Sequence, residues 1–171
     1  MTRIRSFPPV ATAAAKVLVV GSMPGVASLQ AGRYYAHPRN AFWPIVGAIC
    51  GFDAGLDYAA RLDELRAAGI ALWDVLHSCV REGSLDSDIE AASVEPNDFA
   101  GFFASHHAIA AVLCNGGTAF TAYTRRVAPL LPAPFAALPV ERLPSTSPAH
   151  AGVPFADKLS AWQGALRRHL G

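Results

Sequence analysis

Val17-Leu18-Val19-Val20-Gly21-Ser22-Met23-Pro24-Gly25 rises through four apolar, mostly β-branched residues and stops in a Gly/Pro turn. A run so short and so uniformly apolar reads as a strand buried on both faces. The turn after it has neither the lysine of a phosphate-binding loop nor the spacing of GxGxxG. Ser22 directly follows Gly21, which excludes a GxSxG nucleophile elbow. Taken alone, the turn is a Gly/Pro corner at the end of a strand.

Outward from that strand, Ile70–Leu76, Ile109–Cys114 and Leu138–Leu143 repeat the pattern and are predicted strands. Helical periodicity fills the intervals. Ala41–Cys50 places Phe42, Ile45, Val46 and Ile49 on one face, and Asp57–Ala68 opens on a capping Asp57 and stops at Gly69. Asn97–Ser105 follows Pro96, Thr118–Ala128 reads as helical, and Phe155–Leu170 lines up Phe155, Leu159, Trp162 and Leu166. Strands alternating with helices predict an α/β fold: a three-layer α/β/α sandwich with a central, mainly parallel four-stranded sheet. Residues 1–16, with Arg3, Arg5, Pro8, Pro9 and an Ala cluster, read as an N-terminal arm before a single domain over 17–171. Ligands of such folds sit beyond the carboxyl ends of the strands. Function is therefore expected in residues 21–40, 74–87, 115–118 and 144–151.

With 52% hydrophobic and 16% charged residues, the 171-residue chain has material for a core and is not disordered. A net charge of +1 excludes a polybasic binder but leaves room for a local basic groove. Only Lys16 and Lys158 are lysines; the other cations are Arg, which suits phosphate and carboxylate recognition but is also what a GC-rich genome produces. Cys50, Cys79 and Cys114 show no CxxC spacing, and three thiols close neither a disulfide framework nor a four-thiolate iron–sulfur site. Each lies in an apolar run, so three buried thiols in a reducing compartment are expected. There is no signal-peptide layout and no apolar run of roughly 18 residues. A soluble, cytoplasmic protein is the expectation.

Tyr34-Tyr35-Ala36-His37-Pro38-Arg39-Asn40 crowds two aromatics, an imidazole, a guanidinium and a carboxamide just before a helix. Asn40 reads equally as the cap of that helix, and His37 as a turn residue fixed by Pro38. Pro144-Ser145-Thr146-Ser147-Pro148-Ala149-His150 offers small hydroxyls and backbone donors of the kind that bind phosphate, or a plain loop. Asn115-Gly116-Gly117-Thr118 reads as a turn and helix cap. Trp73-Asp74 brings a carboxylate to the ligand edge, where solvation or an Arg partner is the simpler account. His106-His107 has no partner at metal spacing and reads as surface.

In order and spacing, Gly21, Pro24, Gly25, Tyr35, Ala36, His37, Pro38, Asn40, Phe42 and Trp43 resemble the first motif of the uracil-DNA glycosylase superfamily, in its mismatch-specific form. Pro144-Ser145-Thr146-Ser147 resembles its second motif. Met23 stands where most branches carry a water-activating Asn or Asp, and Leu143 where others place His or Asn. The cysteine count excludes the iron–sulfur branches. Met23, the Asn of His37-Pro38-Arg39-Asn40, and Leu143-Pro144-Ser145-Thr146-Ser147-Pro148-Ala149 are similar to the hypoxanthine-DNA glycosylase branch.

That resemblance implies a monofunctional DNA glycosylase of base excision repair, hydrolysing deoxyinosine to release hypoxanthine. It implies Asn40 as the catalytic residue, with Ser22, Met23, Tyr35, His37, Asp74 and Asn115 around the base. Gly25, Arg39, Ser145, Thr146, Ser147 and His150 would contact DNA. No cofactor, metal or iron–sulfur cluster and no membrane is expected. The expected partner is DNA containing deaminated bases, and a monomer in the nucleoid-bearing cytoplasm is expected. Asp74 is expected to be ionised, accepting N1–H of hypoxanthine and repelling adenine, with Asn115 donating to O6 or N7. Two other readings remain: a mismatch-specific uracil glycosylase, and an inert nucleic-acid-binding module, the latter motivated by Met23.

Overall fold

Side chains alternate across a strand, so a strand apolar at every position must be covered on both sides. The computed structural model, which describes residues 2–171, shows this for strand β2, Val17–Gly21. Leu18 and Val20 enter one buried cluster, Val17 and Val19 another. Met1, the first residue of the expected arm, lies outside the described residues.

Strand β1 (Arg3–Arg5) precedes β2, and helices α1 (Val26–Ala31), α2 (Phe42–Cys50) and α3 (Tyr58–Ala67) follow it. Strand β3 (Ile70–Asp74) pairs parallel with one edge of β2, and strand β6 (Ala111–Asn115) with the other. Strand β7 (Val140–Leu143) extends the sheet beyond β6, giving the order β3-β2-β6-β7. Helices α2, α3 and the C-terminal α6 (Phe155–Leu170) cover one face through Phe42, Trp43, Ile45, Leu65, Trp162 and Leu166. Helices α4 (Phe99–Ser105) and α5 (Gly117–Ala122) cover the other through Phe99, Phe102, Phe103 and Ala119. This is the expected α/β layering around a parallel four-stranded sheet.

Local chemistry sets the boundaries. Asp57 caps α3, its carboxylate accepting from Ala60 N at 2.8 Å, and Gly69 ends it at φ +80°, where a side chain would be strained. The run Ile70–Leu76, expected as one strand, divides at Val75. There Val75 N donates to Gly21 O at 2.8 Å and Leu76 N to Ser22 O at 3.1 Å, turning the chain out of the sheet. Leu76–Val80 becomes strand β4 of a second, antiparallel sheet, flanked by β1 and the two-residue β5 (Glu95–Pro96). The expected helix Thr118–Ala128 keeps its α form only to Ala122. It widens into a π-helical turn over Tyr123–Val127 and tightens before Leu131. Pro129 lacks the N–H that would continue the ladder.

The N-terminal residues lie against both sheets. Arg3–Arg5 pair with Ser78–Val80, and Val10 exchanges two 2.8 Å backbone hydrogen bonds with Leu72. Cys79 and Cys114 are buried free thiols, whereas Cys50 is only half-buried. His106, read as surface, is half-buried and stacks on Phe102 with centroids 4.1 Å apart. Among the described residues no helix is long and apolar enough to cross a membrane.

Candidate functional site

The carboxyl ends of β2, β3, β6 and β7 open into a cavity of about 360 Å³. Ser22, Met23, Gly25, Tyr35, His37, Asn40, Asp74, Asn115, Ser145, Thr146, Ser147 and His150 all line it. Arg39 does not; it is exposed beside His37. Met23 sits almost wholly in the core and brings no polar atom to the wall.

The aromatic turn is held from several sides. Tyr34 donates its hydroxyl to Pro8 O at 2.8 Å and its amide to the Tyr58 hydroxyl at 3.0 Å. Trp43 Nε1 donates to Tyr34 O at 3.0 Å, and Ala36 N to Ser28 Oγ at 3.1 Å. This bracing sustains Tyr35 at φ +55°, a left-handed conformation that costs a non-glycine residue about 1–3 kcal/mol. Phe42 covers one face of the Tyr35 ring, with centroids 4.2 Å apart and planes at 24°. The remaining ring surface lines the cavity. The Tyr35 hydroxyl is buried without a partner, and desolvation pushes its pKa up.

Asn40 Oδ1 accepts from Phe42 N at 2.9 Å, which satisfies a free donor at the start of α2. Its amide nitrogen is the group left for the cavity. His37 Nδ1 accepts from Arg39 N at 3.0 Å, so the neutral ring carries its hydrogen on Nε2. Asn115 and Thr146 form a reciprocal buried pair: Nδ2 donates to Thr146 Oγ1, and Thr146 N to Asn115 Oδ1, both at 2.9 Å. That pair ties the end of β6 to the serine-rich loop and leaves Asn115 one amide hydrogen. Ser145 and Ser147 each accept a nearby backbone N–H within the loop, at 3.1 and 3.2 Å.

Asp74 is almost wholly buried, and Oδ2 has no partner. Desolvation above all, then the charge of Asp86, pushes its carboxyl up to about 7, with Arg81 opposing. Against the expected ionised carboxylate, a value near 7 means that a share of Asp74 carries a proton near neutral pH and can donate as well as accept. Gly21 admits this carboxyl, since a Cβ there would lie 2.5 Å from Asp74 Oδ1 and 3.0 Å from the Tyr35 hydroxyl.

Within the expected segment 74–87, sequence reasoning did not single out three contributors, all just after β4. Ser84 Oγ accepts from Val26 N at 2.8 Å, at the start of α1. Buried Arg81 donates to Pro24 O at 2.6 Å and Gly83 O at 2.8 Å. Asp86 accepts from the Ser22 hydroxyl at 2.7 Å and lines the cavity. Their letters, within Arg81-Glu82-Gly83-Ser84-Leu85-Asp86-Ser87-Asp88, look like an ordinary polar loop. The only signal was that this loop follows a strand end. Among the described residues no three His, Cys, Asp or Glu gather to hold a metal ion.

A family model described as the uracil DNA glycosylase superfamily matches residues 8–167. A curated hypoxanthine DNA glycosylase of Methanosarcina barkeri is 40% identical over 87 residues, covering 50% of this chain and 55% of that one. Another, from Methanosarcina acetivorans, is 39% identical over 98 residues, covering 57% and 61%. The match spans less than two thirds of either relative. A solution NMR structure described as a candidate uracil DNA glycosylase from Methanosarcina acetivorans superposes with a TM-score of 0.81. It is 29% identical and covers 98% of each chain.

Proposed function

Because this chain belongs to the uracil DNA glycosylase superfamily, we propose that it is a monofunctional DNA glycosylase that removes hypoxanthine from DNA and leaves an abasic site. The observation that carries the reading is the cavity itself. It is bounded by the Tyr35 ring and by the polar ends of Asp74, Asn40 and Asn115, at the strand ends where this fold class binds ligands. The names of the two curated relatives, both hypoxanthine DNA glycosylases, support hypoxanthine as the base.

A base within the duplex is out of reach of such a cavity, so the nucleotide is extruded into it at a cost of a few kcal/mol. Tyr35, fixed on Phe42, offers a stacking surface, an interaction that contributes about 1–3 kcal/mol per base. Cleavage separates an oxocarbenium-like sugar from a purine carrying negative charge. Asn40 donates through its amide nitrogen to the departing base or the incoming water, since its oxygen already holds Phe42 N. Donors positioned where charge develops stabilise the transition state more than the ground state. Neither Lys16 nor Lys158 lines the cavity, which supports hydrolysis over Schiff-base chemistry. Ser145, Ser147 and His150 stand at the wall where flanking phosphates would pass.

The test is incubation with labelled duplexes carrying hypoxanthine, uracil, xanthine or normal bases, followed by alkali. Strand breaks at hypoxanthine in excess of all others are expected. Preference for uracil would favour a mismatch-type uracil glycosylase, and no break at any base an inert binding module.

A further inference from the structure

We infer that Asp86 is the carboxylate that holds and deprotonates the attacking water. This rests on the glycosylase reading, which requires hydrolysis but leaves open which group accepts the water's proton. Of the groups lining the cavity, Met23 has no basic group and is packed in the core. The Asn40 carboxamide is not a base at neutral pH. His37 spends Nδ1 on Arg39 N, so its neutral ring presents a donor. Asp74 is almost wholly buried beside Gly21 and the Tyr35 hydroxyl, and on this reading it is committed to the edge of the base. His150 is exposed at the rim. Asp86 differs from all of these.

Asp86 is half-buried on the cavity wall and is fixed by the Ser22 hydroxyl at 2.7 Å, one residue from Met23. A carboxylate accepts about four hydrogen bonds, and the hydroxyls of Ser22 and Thr118 account for at most two. Capacity remains for a water. The groups facing it are Asp74 at the end of β3, Arg81 beyond β4 and His150 on the serine-rich loop. Desolvation raises its pKa, while Ser22, Arg81, Thr118 and His150 pull it back, which makes it a stronger base than a fully solvated carboxylate. In the step, the water oxygen bonds to C1′ of the sugar as the C1′–N9 bond breaks. The electron pair of that bond leaves with the purine, and the water's proton passes to Asp86.

A positioned general base contributes roughly 10²–10⁴-fold. Single-turnover excision from a hypoxanthine duplex should therefore fall at least about a hundredfold in Asp86→Asn. Affinity for a duplex bearing a non-cleavable 2′-fluoro deoxyinosine should stay within about threefold. The wild-type rate should rise with pH through the titrations of Asp74 and Asp86, and Asp86→Asn should remove the Asp86 limb, which Asp74→Asn should keep. Ser22→Ala should retain the limb at a reduced rate, because it loosens the carboxylate without removing it. Asp86→Asn with near-wild-type rate and an intact limb would overturn the assignment while leaving the glycosylase reading in place. Wild-type protein that cuts none of the duplexes would overturn both.

Discussion

Asp74 shows how far a residue's type is from its chemistry. A strand-end carboxylate is legible in the sequence, and its charge state is not, because burial and the Asp86 neighbour come from segments distant along the chain. With a folded value near 7 against about 4 unfolded, the folded chain keeps a proton that the unfolded chain has released. Asp74 is then neutral to stability below pH 4 and an increasing cost between pH 4 and 7. Relative to wild type, Asp74→Asn should gain stability as pH rises through that window, by on the order of 4 kcal/mol at pH 8. Paired urea titrations at pH 4.5 and 8 measure the difference, and equal offsets would show that Asp74 titrates normally. The same proton bears on base choice. On the proposed reading, ionised Asp74 would accept N1–H of hypoxanthine, whereas the protonated form would donate to the bare N1 of adenine. The excision margin for hypoxanthine over adenine should therefore narrow below pH 7, and in Asp74→Asn it should be narrow at every pH. Gly21→Ala tests the same close approach sterically. The added carbon meets Asp74 Oδ1 at 2.5 Å, so excision should drop at least tenfold in a chain that still melts cooperatively. Undiminished excision would mean that the carboxyl can move aside without consequence.

At the scale of the element, Asn40 carries two tasks that the sequence could not separate. Its oxygen satisfies Phe42 N at the entry to α2, and its nitrogen faces the cavity. Asn40→Asp keeps the acceptor and removes the donor, whereas Asn40→Ala removes both. The alanine variant should lose about 1 kcal/mol of stability together with excision. The aspartate variant should lose excision, by about a hundredfold or more, at near-wild-type stability. Thermal melts beside single-turnover rates separate the two, and an active Asn40→Asp would return Asn40 to a purely capping role. The same limit explains the misplaced boundary at Val75. Ile70–Leu76 is continuously apolar, so its periodicity holds no mark of the point where backbone bonds to Gly21 and Ser22 turn the chain into a second sheet. Helix α1, at six residues, is too short to show a period at all. Helix α6, with four apolar residues on one face and sixteen residues in length, was legible end to end.

For the molecule as a whole, the parallel sheet was legible because buried strands must be apolar throughout, and the site was legible because this topology sends every strand-following loop to one edge. The loop after β4 fell within the expected segment 74–87, but Arg81, Ser84 and Asp86 were not singled out there, because its strand belongs to the other sheet and nothing in its letters marks which side chains return to the cavity. Net charge is equally blind to placement. A value of +1 averages over a surface on which Arg33 and Arg39 stand exposed around the aromatic turn, while the carboxylates of Asp74 and Asp86 are drawn inward. Arg39 is exposed outside the cavity, and on the proposed reading it would meet backbone phosphate rather than base. Phosphate contacts release counterions, so the logarithm of DNA affinity should fall linearly with that of salt, with a slope near −3 for about three contacts. Arg39→Ala should weaken binding to all duplexes alike and reduce the slope by about one, leaving the hypoxanthine preference unchanged. Fluorescence anisotropy between 50 and 200 mM salt, on hypoxanthine and undamaged duplexes, measures both quantities, with that range spanning about a factor of four in counterion concentration. A wild-type slope near zero would argue against a polyanionic ligand. An Arg39→Ala slope equal to wild type would move the phosphate contacts elsewhere on the rim, to Arg33 and the serine-rich loop.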